Sequence, residues 1–238
     1  MGRWTLQSTS RSSIGSPRDW KPWTIRRRST SSLSSSAFRS RGRGPARCVP
    51  TYVTHETEGA ASSPARTDAM GVAVDRLSPK DEGEFLAAVL ASRALHRPWI
   101  DPPDTPERFA AYLEHSSRED QAAYVVRHDS CGGLVGYVSV GNIVRRAFQS
   151  AYLGYGAFEG HARRGLMGAG LRAVVDMAFG ELGLHRVEAN IQPANGASIG
   201  LVSRLGFERE GFSPRYLMVD GDWRDHERWA LRSEQWST

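Results

Sequence analysis

Cysteine is nearly absent. Cys48 and Cys131 are the only two in 238 residues, which excludes a disulfide framework and a metal site built on clustered thiolates. Neither His185 nor His226 stands at ligand spacing from another donor, so no metal is expected. No stretch approaches the ~18 consecutive apolar residues of a membrane-spanning helix, and the N-terminus lacks the apolar core of a secretory signal. A cytoplasmic protein with no membrane partner is expected. Acidic residues are scarce in one region only: residues 1–69 hold 12 of the 31 Lys+Arg but 4 of the 26 Asp+Glu, a net of +8. The remaining residues carry 19 minus 22, or −3, so the pI of about 9.5 belongs to the first 69 residues. It gives no reason to expect the folded part to bind nucleic acid.

Residues 1–69 are rich in Ser, Arg and Gly, with runs such as Ser34-Ser35-Ser36 and Arg39-Ser40-Arg41-Gly42-Arg43. Such a composition cannot bury enough apolar surface to offset ordering entropy, and the stretch is expected to be disordered. Three readings stay open for it: an organelle transit peptide, a nucleic-acid-binding arm, or upstream sequence from a translation start assigned too early. The last is favoured because an ordered pattern begins at once from Met70, and a single domain over residues 70–234 is expected.

Within that domain, residues 72–77 read as a strand. Ser78-Pro79-Lys80-Asp81 caps a helix to about residue 94, with Phe85, Leu86, Val89 and Leu90 on its buried side. A proline-rich break at residues 96–103 precedes a second helix, opened by the N-cap and first-turn proline of Thr105-Pro106. Strands follow at 122–127, 134–144 and 149–158, the first two joined by Cys131-Gly132-Gly133. A long helix over 165–183, a strand over 187–191 and a helix from Asn195 to about Leu205, stopped by Gly206, come next. Strands at 212–219 and 228–231 close the chain across Asp220-Gly221-Asp222. The order β-α-α-β-β-β-α-β-α-β-β predicts an α+β domain with a central mixed, mostly antiparallel sheet flanked by helices.

The most informative stretch is residues 160–179. Met167, Leu171, Val174, Val175, Ala178 and Leu182 make a helical stripe, with Arg172 and Asp176 as an i,i+4 pair on the opposite face. The start of such a helix presents unpaired N–H groups and a partial positive charge, which suits a phosphate. Arg163 and Arg164 add full charges, and Gly165 removes a Cβ that would hold a ligand off the backbone. Spacing rules out two better-known loops. The lysine of a P-loop is missing after Gly165, and Gly165, Gly168 and Gly170 have the wrong intervals for a dinucleotide fingerprint. Gly168 and Gly170 should each cost about 1 kcal/mol of helix stability, so close approach of a ligand or a neighbouring strand is expected to compensate. On this stretch alone a plain surface turn before a core helix is an equal alternative.

Ala162-Arg163-Arg164-Gly165-Leu166-Met167, together with Asn195-x-x-Ser198 and Leu205-Gly206-Phe207, resembles the GCN5-related N-acetyltransferase superfamily over residues 72–231. Asp220-Gly221-Asp222-Trp223 is similar to its branch that acetylates ribosomal-protein N-termini and small amines. The family's Gln or Arg at the first loop position is here Ala162. The resemblance implies acetyl-CoA as cosubstrate, its diphosphate held by amides of Arg163, Arg164, Gly165, Leu166, Met167 and Gly168. It also implies that the pantetheine arm lies between the strand ending near Ala157 and the strand at 187–191, with Asn195 beside it. Asn195 is equally expected as a helix N-cap. Ser198 is implied as the group that protonates or hydrogen-bonds the departing thiolate, and a backbone N–H near Tyr155 to Ala157 as the oxyanion donor. Candidates for the base are Glu159, Glu188 and Tyr155, each with a bland alternative as solvated charge or core aromatic. His161 could titrate usefully. Trp99 and Tyr216 are expected near the acceptor. The expected reaction is direct acetyl transfer to a primary amine, protein N-terminus or small molecule. A catalytically silent CoA-binding regulatory module is the alternative.

Overall fold

The computed structural model describes residues 65–68 and 71–236, so the disorder expected of residues 1–64 lies outside it. Strand β1 (Ala65–Asp68) pairs antiparallel with β2 (Val72–Arg76), adding an edge strand from within the stretch whose composition predicts no structure. After Ser78 a single 3-10 turn leads into α1 (Glu82–Ala91), and α2 (Arg93–His96) follows almost without a break. Asp81 accepts from both the Ser78 backbone N–H at 2.8 Å and its hydroxyl at 2.7 Å, which closes the helix start. Phe85 and Val89 are buried as expected, whereas Leu90 is 46% exposed, because α1 ends at Ala91 and offers the core a narrow stripe.

α3 (Pro106–Ser116) begins under the cap of Thr105, whose hydroxyl accepts from the Arg108 N–H at 3.3 Å. β3 (Ala122–His128), β4 (Leu134–Val144) and β5 (Ser150–Ala157) then run as an antiparallel meander. α4 (Leu166–Gly180) carries the chain to β6 (Arg186–Ile191), which lies parallel to β5. α5 (Gly196–Arg204) leads to the hairpin of β7 (Glu208–Val219) and β8 (Asp222–Arg232). The sheet order β1-β2-β3-β4-β5-β6-β8-β7 is mixed, with one parallel pair among antiparallel ones. Two turn assignments rest on backbone sign. Asp220 and Gly221 both have positive φ, as a two-residue hairpin requires, and Gly206 at φ 89° lets Phe207 N–H reach back to Val202 O at 3.1 Å.

A hydrophobic core lies on each face. Phe85 of α1 and Phe109 of α3 pack with Val125, Tyr137 and Phe158, while Leu171 and Val174 of α4 and Val202 of α5 pack with Val126, Val138 and Val187. Gly170 explains itself by contact: a Cβ there would sit 2.5 Å from Val126 Cγ1, so glycine lets α4 press onto β3. Gly170→Ala should therefore cost about 1–3 kcal/mol through overpacking and lower the melting temperature by several degrees, roughly 2–4 °C per kcal/mol. An unchanged melt would show that the helix can lift at no cost. The expected Arg172–Asp176 pair is replaced by a different arrangement. Arg172 lies over the Trp236 ring at 4.6 Å and Asp176 accepts from Trp236 Nε1 at 2.5 Å, so both residues dock the chain's last turn onto α4.

Candidate functional site

The loop between β5 and α4 turns twice through left-handed backbone, at Arg163 (φ 60°) and at Gly165 (φ 80°). Leu166 and Met167 bury their side chains in the core, so this stretch offers outward only its backbone and the exposed Arg163 and Arg164. No protein group accepts from the N–H of residues 163–167 among the described residues. The first turn of α4 holds no acidic side chain to neutralise the helix dipole. Five free amides at the positive end of a 15-residue helix make an anion cradle. The N–H of Gly168, expected as a sixth, donates to Gly165 O at 2.9 Å.

Beside this cradle the sheet splits. β5 and β6 are paired only at Ser150–Arg186, Ala151–Val187 and Tyr152–Glu188, and beyond Tyr152 they part. In an antiparallel ladder, residues pointing both backbone groups at one neighbour alternate with residues pointing both away. Phe158 N–H donates to Val135 O at 2.8 Å, which turns even-numbered residues of β5 toward β4 and leaves Tyr155 and Ala157 facing the gap. Ser233 N–H donates to His185 O at 2.8 Å, which by the same alternation leaves the Asn190 backbone facing the gap from β6. The result is a fork with open strand edges inside it, able to take an amide-bearing chain as an added strand.

The residues singled out from sequence fall in different parts of this geometry. Tyr155 lies on the gap edge, and its hydroxyl makes a long 3.5 Å contact to Ser198 O, bringing Tyr155 and Ser198 together at the start of α5. Burial pushes the Tyr155 phenol up to about 12, against a smaller opposing effect of the Ser198 side chain, so the phenol keeps its proton at neutral pH. Asn195 caps α5 by accepting from Ser198 N–H at 3.1 Å, and its amide NH2 meets no acceptor among the described residues. Ala157 lies at the open end of β5. Glu159 is exposed in the turn after β5, and its side chain meets no partner among the described residues. Glu188, at the last closed pair, is held by Arg186 Nε at 2.9 Å, and Arg186 also grips Glu210. His161 stacks on His128 at 5.5 Å. Tyr216 stands beside Tyr152, whose phenol is pushed up to about 12, first by Tyr216 and then by burial.

Sequence reading missed His96, Gln192 and Asn190. His96 is 3% exposed and its Nε2 lies 2.8 Å from Ala157 O; Gln192 Nε2 donates to Trp99 O at 3.2 Å. Both bonds join residues at least 61 apart, and the proline-rich break gave no local sign of them. Asn190 has a buried side-chain oxygen without a partner among the described residues.

His96, His161 and His226 all sit below the ordinary histidine value of 6.5, chiefly through burial, with Arg164 and His128 adding to the effect at His161. A lowered folded-state pKa means that the unfolded chain binds more protons, so stability is full above 6.5 and is lost as pH falls through the lower values. The urea midpoint should fall between pH 7 and pH 5, above the range in which Asp104 and Glu210, both lowered, would titrate. A flat midpoint over that interval would contradict the burial of neutral imidazoles.

A family model described as acetyltransferase (GNAT) domain matches residues 72–208. Probable N-acetyltransferase YjcK of Bacillus subtilis is 34% identical over 125 residues, which are 52% of this chain and 69% of that protein. The ribosomal protein uS5-alanine N-acetyltransferase of Escherichia coli is 38% identical over 104 residues, 44% of this chain and little more than half, 54%, of that enzyme. Among solved structures, Mycobacterium smegmatis RimJ in complex with CoA-disulfide superposes with a TM-score of 0.65 at 27% identity, covering 70% of this chain and 84% of that one. A ribosomal-protein-S5-alanine acetyltransferase from Vibrio fischeri gives a TM-score of 0.64 at 24% identity over 74% of this chain and 100% of that one, a likeness of fold.

Proposed function

The chain belongs to the acetyltransferase (GNAT) family, and from that premise we propose that it moves an acetyl group from acetyl-CoA directly onto a primary amine, foremost a protein N-terminal α-amine. The observation that carries this reading is the β5–β6 fork opening beside five unclaimed amides. The reading takes residues 70–234 as the acyltransferase domain, with β1 paired onto β2 ahead of it. A cytoplasmic setting agrees with the scarcity of cysteine and with the absence, among the described residues, of a helix long and apolar enough to cross a membrane.

Acetyl-CoA supplies an activated acetyl thioester. The amides of residues 163–167 hold its diphosphate, with Arg163 and Arg164 at the solvent edge. Tyr155 and Ala157 give the amide-bearing arm backbone partners, and an N–H from this pair stabilises charge growing on the thioester oxygen. As the C–N bond forms and the C–S bond breaks, Tyr155 and Ser198 offer hydroxyl donors to the leaving sulfur. The proton released from the amine goes to solvent, because Glu188 is committed to Arg186 and Glu159 stands exposed in the turn after β5.

Without a dedicated base, the acceptor must already be neutral. At pH 7.5 an α-amine of pKa near 8 is about one-quarter neutral, while a lysine near 10.4 is roughly 0.1% neutral. A peptide with a free N-terminus should therefore be acetylated about 100-fold faster than the same peptide blocked at its N-terminus and offering lysine alone. The Escherichia coli relative, named for alanine of ribosomal protein uS5, supports the same acceptor class. Thiol release from acetyl-CoA with the two peptides tests this. Equal rates would reject the α-amine assignment, and binding of acetyl-CoA without thiol release on any amine would identify a silent module instead.

A further inference from the structure

Two strands that part leave a row of unpaired backbone groups on each arm, and nothing in the strands themselves prevents them from pairing. The structure shows what meets each arm at the mouth. On β5, His96 Nε2 contacts Ala157 O at 2.8 Å, and two residues later Glu159 N–H donates to Ser92 Oγ at 2.9 Å. The buried Ser92 hydroxyl in turn donates to Ala88 O at 2.7 Å, so this junction is anchored in α1. Beyond β6, Gln192 Nε2 donates to Trp99 O at 3.2 Å. Eight consecutive residues, 92–99, thus hold the ends of both arms.

His96 makes the directional contact. A carbonyl oxygen only accepts, so Nε2 carries the proton and Nδ1 is a bare lone pair, enclosed without a partner. An apolar side chain would fill that space without burying an unpaired acceptor, so the imidazole contributes through its Nε2–H. By holding Ala157 O, it leaves the Ala157 N–H and both Tyr155 backbone groups as the polar edge of β5 inside the fork.

We propose that residues 92–99 form a brace across the mouth of the fork, with His96 as a positioning residue that fixes the end of β5 and withdraws the Ala157 carbonyl from the cleft. This rests on the assignment of the fork to the pantetheine arm of acetyl-CoA. The brace acts on the part of the ligand inside the fork and not on the part held by the α4 amides.

The test is calorimetric titration of the full chain with acetyl-CoA and, separately, with 3′-phosphoadenosine 5′-diphosphate, the nucleotide part that reaches only the amides. His96→Leu should weaken acetyl-CoA about tenfold, the equivalent of one lost hydrogen bond, and leave the nucleotide within about twofold. His96→Gln, which can return an N–H to the same carbonyl, should stay within about threefold of wild type for both. Should His96→Leu fail to fold, Gln192→Leu releases the other arm and should give the same split between ligands. Equal loss for both ligands, or no loss for acetyl-CoA, overturns the brace. Failure of the wild-type chain to bind acetyl-CoA while it binds the nucleotide overturns the fork assignment itself, a result separable from the first two.

Discussion

Gly165→Glu is expected to weaken acetyl-CoA binding about 1,000-fold while the fold survives. A Cβ at Gly165 meets nothing within 4 Å, so the substitution creates no clash. The backbone there has φ 80°, where an L-residue costs about 1–2 kcal/mol. The larger effect is electrostatic. A carboxylate beside the cradle faces the diphosphate, and like charges at ~4 Å in a partly screened site repel by about 4 kcal/mol, or nearly three decades of affinity. Gly165→Ala carries the backbone cost alone and should lose about tenfold. Calorimetry on both variants, with melting curves as control, checks the difference. If the two lose equally, the charge faces no anion.

Tyr155→Phe is expected to lower kcat by about 100- to 1,000-fold and to leave KM for acetyl-CoA within about threefold, the range seen on deleting one preorganised donor. The reason lies in the direction of its pKa shift. A phenol held at about 12 by burial cannot hand its proton outright to a thiolate whose conjugate acid lies near 8.5, but it can hydrogen-bond to it. The hydroxyl stays protonated below about 12, so activity should show no alkaline loss from Tyr155 below pH 10. Ser198→Ala should cost less, because Ser198 is half-buried and water can take the place of its hydroxyl. A Tyr155→Phe enzyme with unchanged kcat would remove the phenol from the reaction.

Much of this was legible in the residues because it is local. The α4 stripe, the Asp220-Gly221 turn, the Asn195 cap and the Gly206 stop are each written in residues a few positions apart, on the scale at which helix and turn geometry repeats. The turn that leaves the amides ahead of α4 unpaired was legible for the same reason, while the bond from Gly168 N–H to Gly165 O was not. What the sequence hid depends on contacts across the chain. Composition marked residues 65–68 as unstructured, yet pairing with β2 orders them. Arg172 and Asp176 sit at ion-pair spacing, yet Trp236 claims both. His96 stands in a stretch that reads as a break, and its contact with Ala157 O exists only because β5 ends beside it.

The central claim is that the α4 amides and the open edge of β5 take hold of CoA through the backbone. Residue-resolved amide hydrogen exchange, with and without saturating CoA, tests it most directly. Exchange should slow at residues 163–167 and at Tyr155 and Ala157, while Gly156 and Gly168, whose amides are already committed to β4 and to Gly165, should not respond. CoA binding that leaves residues 163–167 unprotected, or that protects Gly156 in place of Tyr155 and Ala157, would contradict the account.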